Sequence, residues 1–210
     1  MNKHKNMKNK KYNTHLITVA DGMLIAYIYL FRSNNFVNMQ TGNLVKFVVD
    51  LSRGVFSYSY LVCILSFFVA LMAGFFISKH KKNNLLNIGI EIALLIPSIF
   101  LPTAGEWNLL SLALFSAFFG LQFGNYDFGK IDKEIVTTNM MTNNMRLFSQ
   151  SLGGAVLGEV ASWKKVLLYF VYILCFCAGV SATTLLSSLM SVYVVIVPTC
   201  LLSIIFILYL

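Results

Sequence analysis

The amino-acid sequence predicts an all-α membrane protein with six transmembrane helices and two short helices that are either re-entrant or interfacial. Hydrophobic residues make up 58% of the 210 residues and charged residues 11%, whereas soluble domains have roughly 45–50% and 25%. This composition excludes a soluble enzyme, a disordered chain and a disulfide scaffold, and it favours helices that have lipid as their solvent.

Six apolar stretches are long enough to cross a bilayer, which needs roughly 17–25 helical residues. They run over residues 15–31, 58–78, 85–101, 107–123, 166–184 and 192–210. The first stretch follows a basic tail at residues 1–11, and no small-residue cleavage site follows it, so we expect an uncleaved span. Two further helices, over 43–53 and 144–158, are expected to enter the membrane part-way or to lie on its surface.

The basic residues predict the orientation of these spans. If neither short helix crosses and the amino terminus is cytoplasmic, every Lys and Arg falls on the cytoplasmic side except Arg32, Lys46 and Arg53. We therefore expect a multi-pass cell-membrane protein with both termini cytoplasmic. The net charge of +8 is then an orientation signal, not a nucleic-acid site. The expected partners are the lipid bilayer and an unidentified small solute, with self-association left open; no cofactor or metal is expected.

Residues 12–105 and 106–210 are predicted to be two copies of one three-span unit. The segment 38–44 matches the segment 139–145 at an offset of 101 residues. The identical pairs are Asn38/Asn139, Met39/Met140, Thr41/Thr142 and Asn43/Asn144. Because each unit has an odd number of spans, the second copy must cross the bilayer in the opposite sense, which gives an inverted-topology repeat.

Gly22-x-x-x-Ala26 in the first span, followed by the segment 38–44, resembles the YoaK family of bacterial multi-span membrane proteins. In the second half, Gly120-Leu121-Gln122 followed by Met141-Thr142 fits the same pattern, so the resemblance covers nearly the whole chain. The family is a domain of unknown function. The resemblance implies a helical membrane fold and a transport role without an established substrate.

The chain departs from that family pattern at three positions. Ile25 and Phe123 stand where Asp or Asn is usual before the small residue of each half's first span. Asn143 stands where the second motif usually has glycine. The resemblance implies that an activity needing those residues would be altered in this chain.

The two matching segments are predicted to begin half-helices that meet near the membrane midplane. Thr and Asn side chains can cap the free amides at a helix start, and the helix dipole there favours an anion or a polar solute. The candidate substrate-binding residues are Asn38, Gln40, Thr41, Gly42, Asn43, Asn139, Thr142, Asn143 and Asn144. The alternative is that these residues only cap two helices on the membrane surface.

Three further features concern charge inside or beside the spans. Asp21 and Glu91 lie within spans, where carboxyl groups are costly, so both are candidates for ion or proton coupling. The alternative is that a lysine near the interface, such as Lys79 or Lys82, neutralises them. On the first short helix, Lys46 and Asp50 lie four residues apart and are expected to pair.

These observations predict a small-solute transporter or channel with a polar midplane site. The alternative is a non-transport scaffold or lipid-handling protein whose motifs only cap surface helices. We expect no enzyme and no catalytic residue, because no Ser/His/Asp set, phosphate loop or paired-histidine motif is present in the sequence.

Overall fold

The computed structural model describes residues 2–32, 36–80, 84–125, 130–131 and 134–209. Its helices are α1 Asn2–Phe31, α2 Gln40–Ser52, α3 Tyr58–His80, α4 Asn84–Phe100, α5 Glu106–Gly124, α6 Met141–Val156, α7 Val160–Met190 and α8 Ile196–Tyr209. A 3-10 turn, Ser191–Val195, connects α7 to α8. Between α5 and α6, the short strands β1 (Lys130–Ile131) and β2 (Glu134–Ile135) pair antiparallel.

The predicted helical class is confirmed, and each predicted helical stretch corresponds to an observed helix or helical run. Helices satisfy their own backbone hydrogen bonds, which explains why long apolar runs adopt them in lipid. Two boundaries differ clearly from the prediction. Helix α1 begins at Asn2, so the basic tail at 1–11 is largely helical, and α7 begins at Val160 instead of residue 166.

Four segments of the described chain are long and apolar enough to cross a membrane. They are Thr14–Phe31, Tyr58–Lys79, Glu106–Gly124 and Val160–Leu208. The last segment extends over 49 residues and contains α7, the 3-10 turn and α8, so it covers two of the predicted spans. The apolar part of α4, Leu85–Phe100, is shorter. The count of six spans stays a prediction.

Large apolar side chains cover the outside of the bundle while several polar side chains lie inside it. Leu189 is 83% exposed and Phe100 is 80% exposed, whereas Asp21 and Asn144 are completely buried. An apolar exterior of this extent is unusual for a protein in water and is expected of one surrounded by lipid. The interior therefore combines an apolar core, which includes Phe115, with polar groups that need partners.

The helices pack in a pattern that stays the same when the two halves are exchanged. Helix α1 contacts α7 and α8, and α5 correspondingly contacts α3 and α4. The short helices α2 and α6 contact α3 and α7, and α4 contacts α8. The first helix of each half thus packs against the last two helices of the other half, so the halves are interleaved.

Glycines allow the closest of these helix crossings. A Cβ at Gly22 would overlap the backbone carbonyl of Phe176, and one at Gly179 would overlap that of Val19, where α1 crosses α7. Gly74 and Gly120 have equivalent positions where α3 crosses α5. Small residues of this kind let helix backbones approach in lipid.

Arg32, directly after α1, is almost completely buried and holds the end of α4. Its guanidinium donates to the backbone carbonyls of Ser98, Leu101 and Pro102 and to the hydroxyl of Tyr27. The last carbonyls of a helix have no partner within the helix, and a cation at that end also interacts favourably with the helix dipole. Arg32 thereby links the ends of α1 and α4.

Candidate functional site

The short helices α2 and α6 begin and end with the same backbone geometry. Their N-cap residues are Met39, with φ −109° and ψ 76°, and Met140, with φ −110° and ψ 80°. Each helix ends two residues before a glycine with positive φ, Gly54 at 76° and Gly158 at 95°. Both ends carry the hydrogen-bond pair of a Schellman motif. The sequence match at 38–44 and 139–145 is therefore also a structural match.

Asn43 and Asn144 hold each short helix to the loop that precedes it. The Asn43 Nδ2 donates to the Phe36 carbonyl at 3.2 Å. The Asn144 Nδ2 donates to the Thr137 carbonyl at 2.6 Å, and its Oδ1 accepts from the Thr137 backbone N–H at 3.1 Å. The expectation that Thr41 or Asn43 caps the helix is wrong, because neither N-cap residue makes a side-chain cap and the asparagine lies one turn inside.

We expect Asn144→Ala to destabilise the protein by about 1–3 kcal/mol, because it leaves both backbone groups of Thr137 without their partner. Asn43→Ala should cost less, since that side chain bonds only one backbone group. Thermal melting in detergent measures both effects. Asn143→Ala is the matched control, because Asn143 bonds only the exposed Arg146. Equal losses at residues 143 and 144 would contradict the positioning role.

A chain of buried hydrogen bonds joins the two motif segments to α5 and α1. The Asn38 Nδ2 donates to the backbone carbonyl of Asn139 at 2.7 Å. The Asn139 Nδ2 donates to the Oε1 of Gln122, which also accepts from the Thr138 hydroxyl at 3.3 Å. The Gln122 Nε2 donates to the Oδ1 of Asp21 at 3.0 Å. We call Asp21, Asn38, Gln122, Thr138 and Asn139 the central polar cluster.

All members of the central polar cluster are buried, with at most 6% of each residue exposed. The sequence identified Asn38, Asn139 and Asp21 as candidates but missed Gln122 and Thr138. A signal for Gln122 was available, because it lies 101 residues after Asp21, at the same offset as the repeat. The cluster therefore brings together residues from both halves.

Other predicted site residues do not reach the central polar cluster through the observed bonds. Thr41, Gly42 and Thr142 are exposed. The Gln40 Nε2 donates locally to the Val37 carbonyl, and Asn143 accepts from Arg146. The helices begin at Gln40 and Met141, and the buried Asn43 and Asn144 side chains bond to their own preceding loops. The expectation that the turns at 41–43 and 142–144 face each other stays a prediction. The residues that meet are Asn38 and Asn139.

The comparison with family models gives one match, to a protein of unknown function (DUF1275), over residues 14–208. The chain belongs to the DUF1275 family. No curated protein and no solved structure matches it. The match agrees with the predicted membership of an uncharacterised family, and it includes every member of the central polar cluster.

In this DUF1275 chain, Glu91 lies in α4 and is 1% exposed. Neither of its carboxyl oxygens has a hydrogen-bond partner among the described residues, and it lies within electrostatic range of Asp21. The Lys79 ammonium lies over the ring of Phe75, 5.9 Å from its centroid, and Lys82 lies outside the described residues. The predicted neutralisation by lysine is therefore not seen for Lys79.

The expected pairing of Lys46 with Asp50 on α2 is wrong. The Lys46 Nζ lies over the Tyr60 ring, 5.6 Å from its centroid, and the Asp50 carboxylate accepts a hydrogen bond from the Ser57 hydroxyl. Both contacts connect α2 to α3 or to the loop before it. These two residues thus link α2 to the chain that follows it.

The central polar cluster of the DUF1275 chain contains hydrogen-bond acceptor atoms without a donor among the described residues. The Asp21 Oδ2, the Asn38 Oδ1 and the Asn139 Oδ1 are buried and have no hydrogen-bond partner among the described residues. Buried polar atoms are nearly always satisfied, so open ones need an explanation. In the described part of the chain, no three His, Cys, Asp or Glu side chains form a metal-ligand set. The cluster therefore contains three buried oxygen atoms for which the described residues supply no hydrogen-bond donor.

Proposed function

We propose that this DUF1275 protein is a small-solute transporter or channel with a polar site between its two halves. The observation that carries the proposal is the buried hydrogen-bond chain through Asn38, Asn139, Gln122 and Asp21. Buried ionisable and polar groups are expensive in a membrane protein and commonly mark a substrate or ion path. Non-helical backbone at membrane depth is tolerated where it is buried in protein or lines a cavity.

The proposal includes a six-span inverted repeat with both termini cytoplasmic. The matching ends of α2 and α6 and the exchangeable helix contacts support this arrangement. Inverted repeats commonly bind solutes at the repeat interface, near the starts of broken helices. Here the two short helices start at the buried Asn38 and Asn139 segments and end at glycines in exposed turns.

A scaffold or lipid-handling protein is the second candidate. The exposed face of α2 favours it, because Leu44, Val45 and Val48 are each at least half exposed and would suit a helix on the membrane surface. In that case the central polar cluster would be a structural network closed to water. Aqueous access to the cluster therefore separates the two functions.

Asn139→Cys, in a chain whose four native cysteines are replaced by serine or alanine, is expected to react with a small methanethiosulfonate reagent in reconstituted vesicles. A water-filled path to the site gives the thiol access to the reagent. Phe115→Cys is the matched control, because Phe115 is equally buried in the apolar core and should stay unmodified. If Asn139→Cys reacts no faster than Phe115→Cys, the transport proposal is rejected.

The same cysteine-free chain tests the inverted repeat. Gly42→Cys and Thr142→Cys should be labelled by a membrane-impermeant reagent from opposite faces, the first from outside and the second from the cytoplasm. Both positions are exposed, and a Cβ at Gly42 meets no other atom within 4 Å, so the substitutions are expected to be tolerated. Labelling of both from one face would exclude the inverted arrangement.

A further inference from the structure

The hydrogen bonds described for the central polar cluster leave three oxygen atoms without a partner. The side-chain amide nitrogens of Asn38, Asn139 and Gln122 each donate to an oxygen within the cluster. No hydrogen bond in the described structure reaches the Asp21 Oδ2, the Asn38 Oδ1 or the Asn139 Oδ1, although the Thr138 side chain lies close enough to interact with the Asp21 carboxyl. The cluster therefore has unused acceptors where a ligand would have to supply donors or positive charge.

The amide orientations follow from these partners. Turning the Asn38 amide around would place its oxygen against the Asn139 carbonyl oxygen, and turning Asn139 would place its oxygen against the Gln122 Oε1. Two acceptors in contact repel each other, so with Asp21 ionised each amide directs its nitrogen to the observed partner. The open oxygens are thus a consequence of the chain of bonds from Asn38 to Asp21.

The ionisable groups around the cluster also favour a positively charged ligand. Asp21 and Glu91 are both buried and lie within electrostatic range of each other. The one buried arginine of the described structure, Arg32, is occupied by the carbonyls at the end of α4. A buried carboxylate without a positive partner is strongly unfavourable. Such a group binds either a proton or a cation, and a bound cation would compensate the charge of the ionised form.

An anion fits the cluster less well, although two helix starts lie nearby. A helix N-terminus carries the equivalent of about half a positive charge, and the residues of its first turn, Thr41, Gly42 and Thr142, are exposed here. An anion at the buried end would face the two carboxyl groups and the open amide oxygens. Two buried carboxyl groups offer an anion no positive charge, and the helix ends supply only partial charges.

We propose that the central polar cluster binds a small monovalent cation, either an alkali metal ion or a protonated amine, at the Asp21 Oδ2, with the amide oxygens of Asn38 and Asn139 as further acceptors in the same cluster. Carboxylate and amide oxygens are suitable ligands for hard cations, and a protonated amine donates hydrogen bonds to the same atoms. This inference rests on the proposed function and names the solute class: the protein moves a cation.

Thermal melting of the purified full-length protein in detergent tests the cation site without any transport. Sodium, potassium and methylammonium chlorides are compared with choline chloride at equal ionic strength, so that charge screening and the anion are the same. At least one small cation should raise the melting temperature by about 5 °C when present well above its Kd, and the effect should saturate. The sodium and methylammonium arms distinguish a metal ion from an amine.

Asp21→Asn is the decisive variant. It keeps an acceptor for Gln122 and replaces the open oxygen by an NH2 group, so the cation-dependent rise should disappear or need at least tenfold more cation. Asp50→Asn is the matched control, because Asp50 bonds Ser57 beyond α2, and its rise should equal that of the unmodified chain. If Asp21→Asn fails to fold, the salt series on the unmodified chain still tests the site.

Two results would overturn the inference: no difference between small cations and choline, or an equal rise in Asp21→Asn. The experiments distinguish a failure of the cation proposal from a failure of the transport proposal. Access to Asn139→Cys is measured in choline chloride and depends on a water path, whereas the melting series depends on equilibrium binding.

Discussion

Gly179→Ala is expected to separate α1 from α7 and to lower the free energy of unfolding by about 2–3 kcal/mol. The added Cβ would overlap the backbone carbonyl of Val19 and press against the backbone nitrogen of Met23. Backbone atoms in a helix cannot rotate away, so the whole helix has to move. Alanine favours a helix over glycine by about 1 kcal/mol, and this gain is smaller than the loss from the clash. Melting in detergent, together with the yield of folded protein, measures the effect.

Gly153→Ala is the matched control for this prediction. Gly153 is also inside a helix, but it is exposed and a Cβ there meets no other atom within 4 Å. Here only the helix preference acts, so the protein should become more stable by about 0.5–1 kcal/mol. A similar loss from both alanines would show that helix approach is not the reason for glycine at position 179.

Arg32→Leu is expected to destabilise the protein by about 3 kcal/mol. Leucine can fill the buried space, but the carbonyls of Ser98, Leu101 and Pro102 would stay buried without a donor. Each unsatisfied buried carbonyl costs about 1–3 kcal/mol, although these losses are not additive. The reduced cost of burying the guanidinium offsets part of the loss. Chemical or thermal unfolding in detergent measures the difference from the unmodified chain.

Arg53→Leu is the control for loss of charge. Arg53 is exposed after the end of α2, and its substitution should change stability by less than about 0.5 kcal/mol. Arg32→Lys keeps the charge but loses the planar fork that reaches several carbonyls, so an intermediate loss is expected. If Arg32→Leu behaves like Arg53→Leu, the guanidinium does not stabilise the α4 end.

The sequence predicts the helices well because the physical signal is local. A long apolar run in lipid has to satisfy its own backbone bonds, and the helix does so within each segment. The repeat offset also predicts a contact, since Asn38 and Asn139 have equivalent positions in the two matching segments and are joined by a hydrogen bond. Residues on or near an approximate axis between two halves meet their own counterparts, so a repeat in sequence indicates such contacts.

The features that the sequence did not predict depend on contacts between segments that are distant in the chain. The repeat offset relates Gln122 to Asp21, but only the placement of α5 beside α1 shows that the two side chains share a hydrogen bond. Arg32 looked like a cation in an external loop, because its acceptors belong to the end of another helix. Thr41 appeared central because it belongs to the repeated motif, yet the helix start directs it outward. The environment of each of these three side chains depends on which helices pack together and on the direction in which the side chain leaves its helix.

The interleaving of the halves has a consequence for how the chain is made. The Thr183 hydroxyl donates to the Met23 carbonyl, a contact between residues 160 positions apart, and Gln122 is synthesised 101 residues after Asp21. At translation rates of about 5–20 residues per second, α1 waits on the order of 10–30 s for α7 to emerge. Asp21 itself waits about 5–20 s for Gln122, so the bundle cannot supply that amide while α1 inserts. A translation product ending after α4 would lack Gln122 altogether, and Asp21 would then have no amide donor from α5.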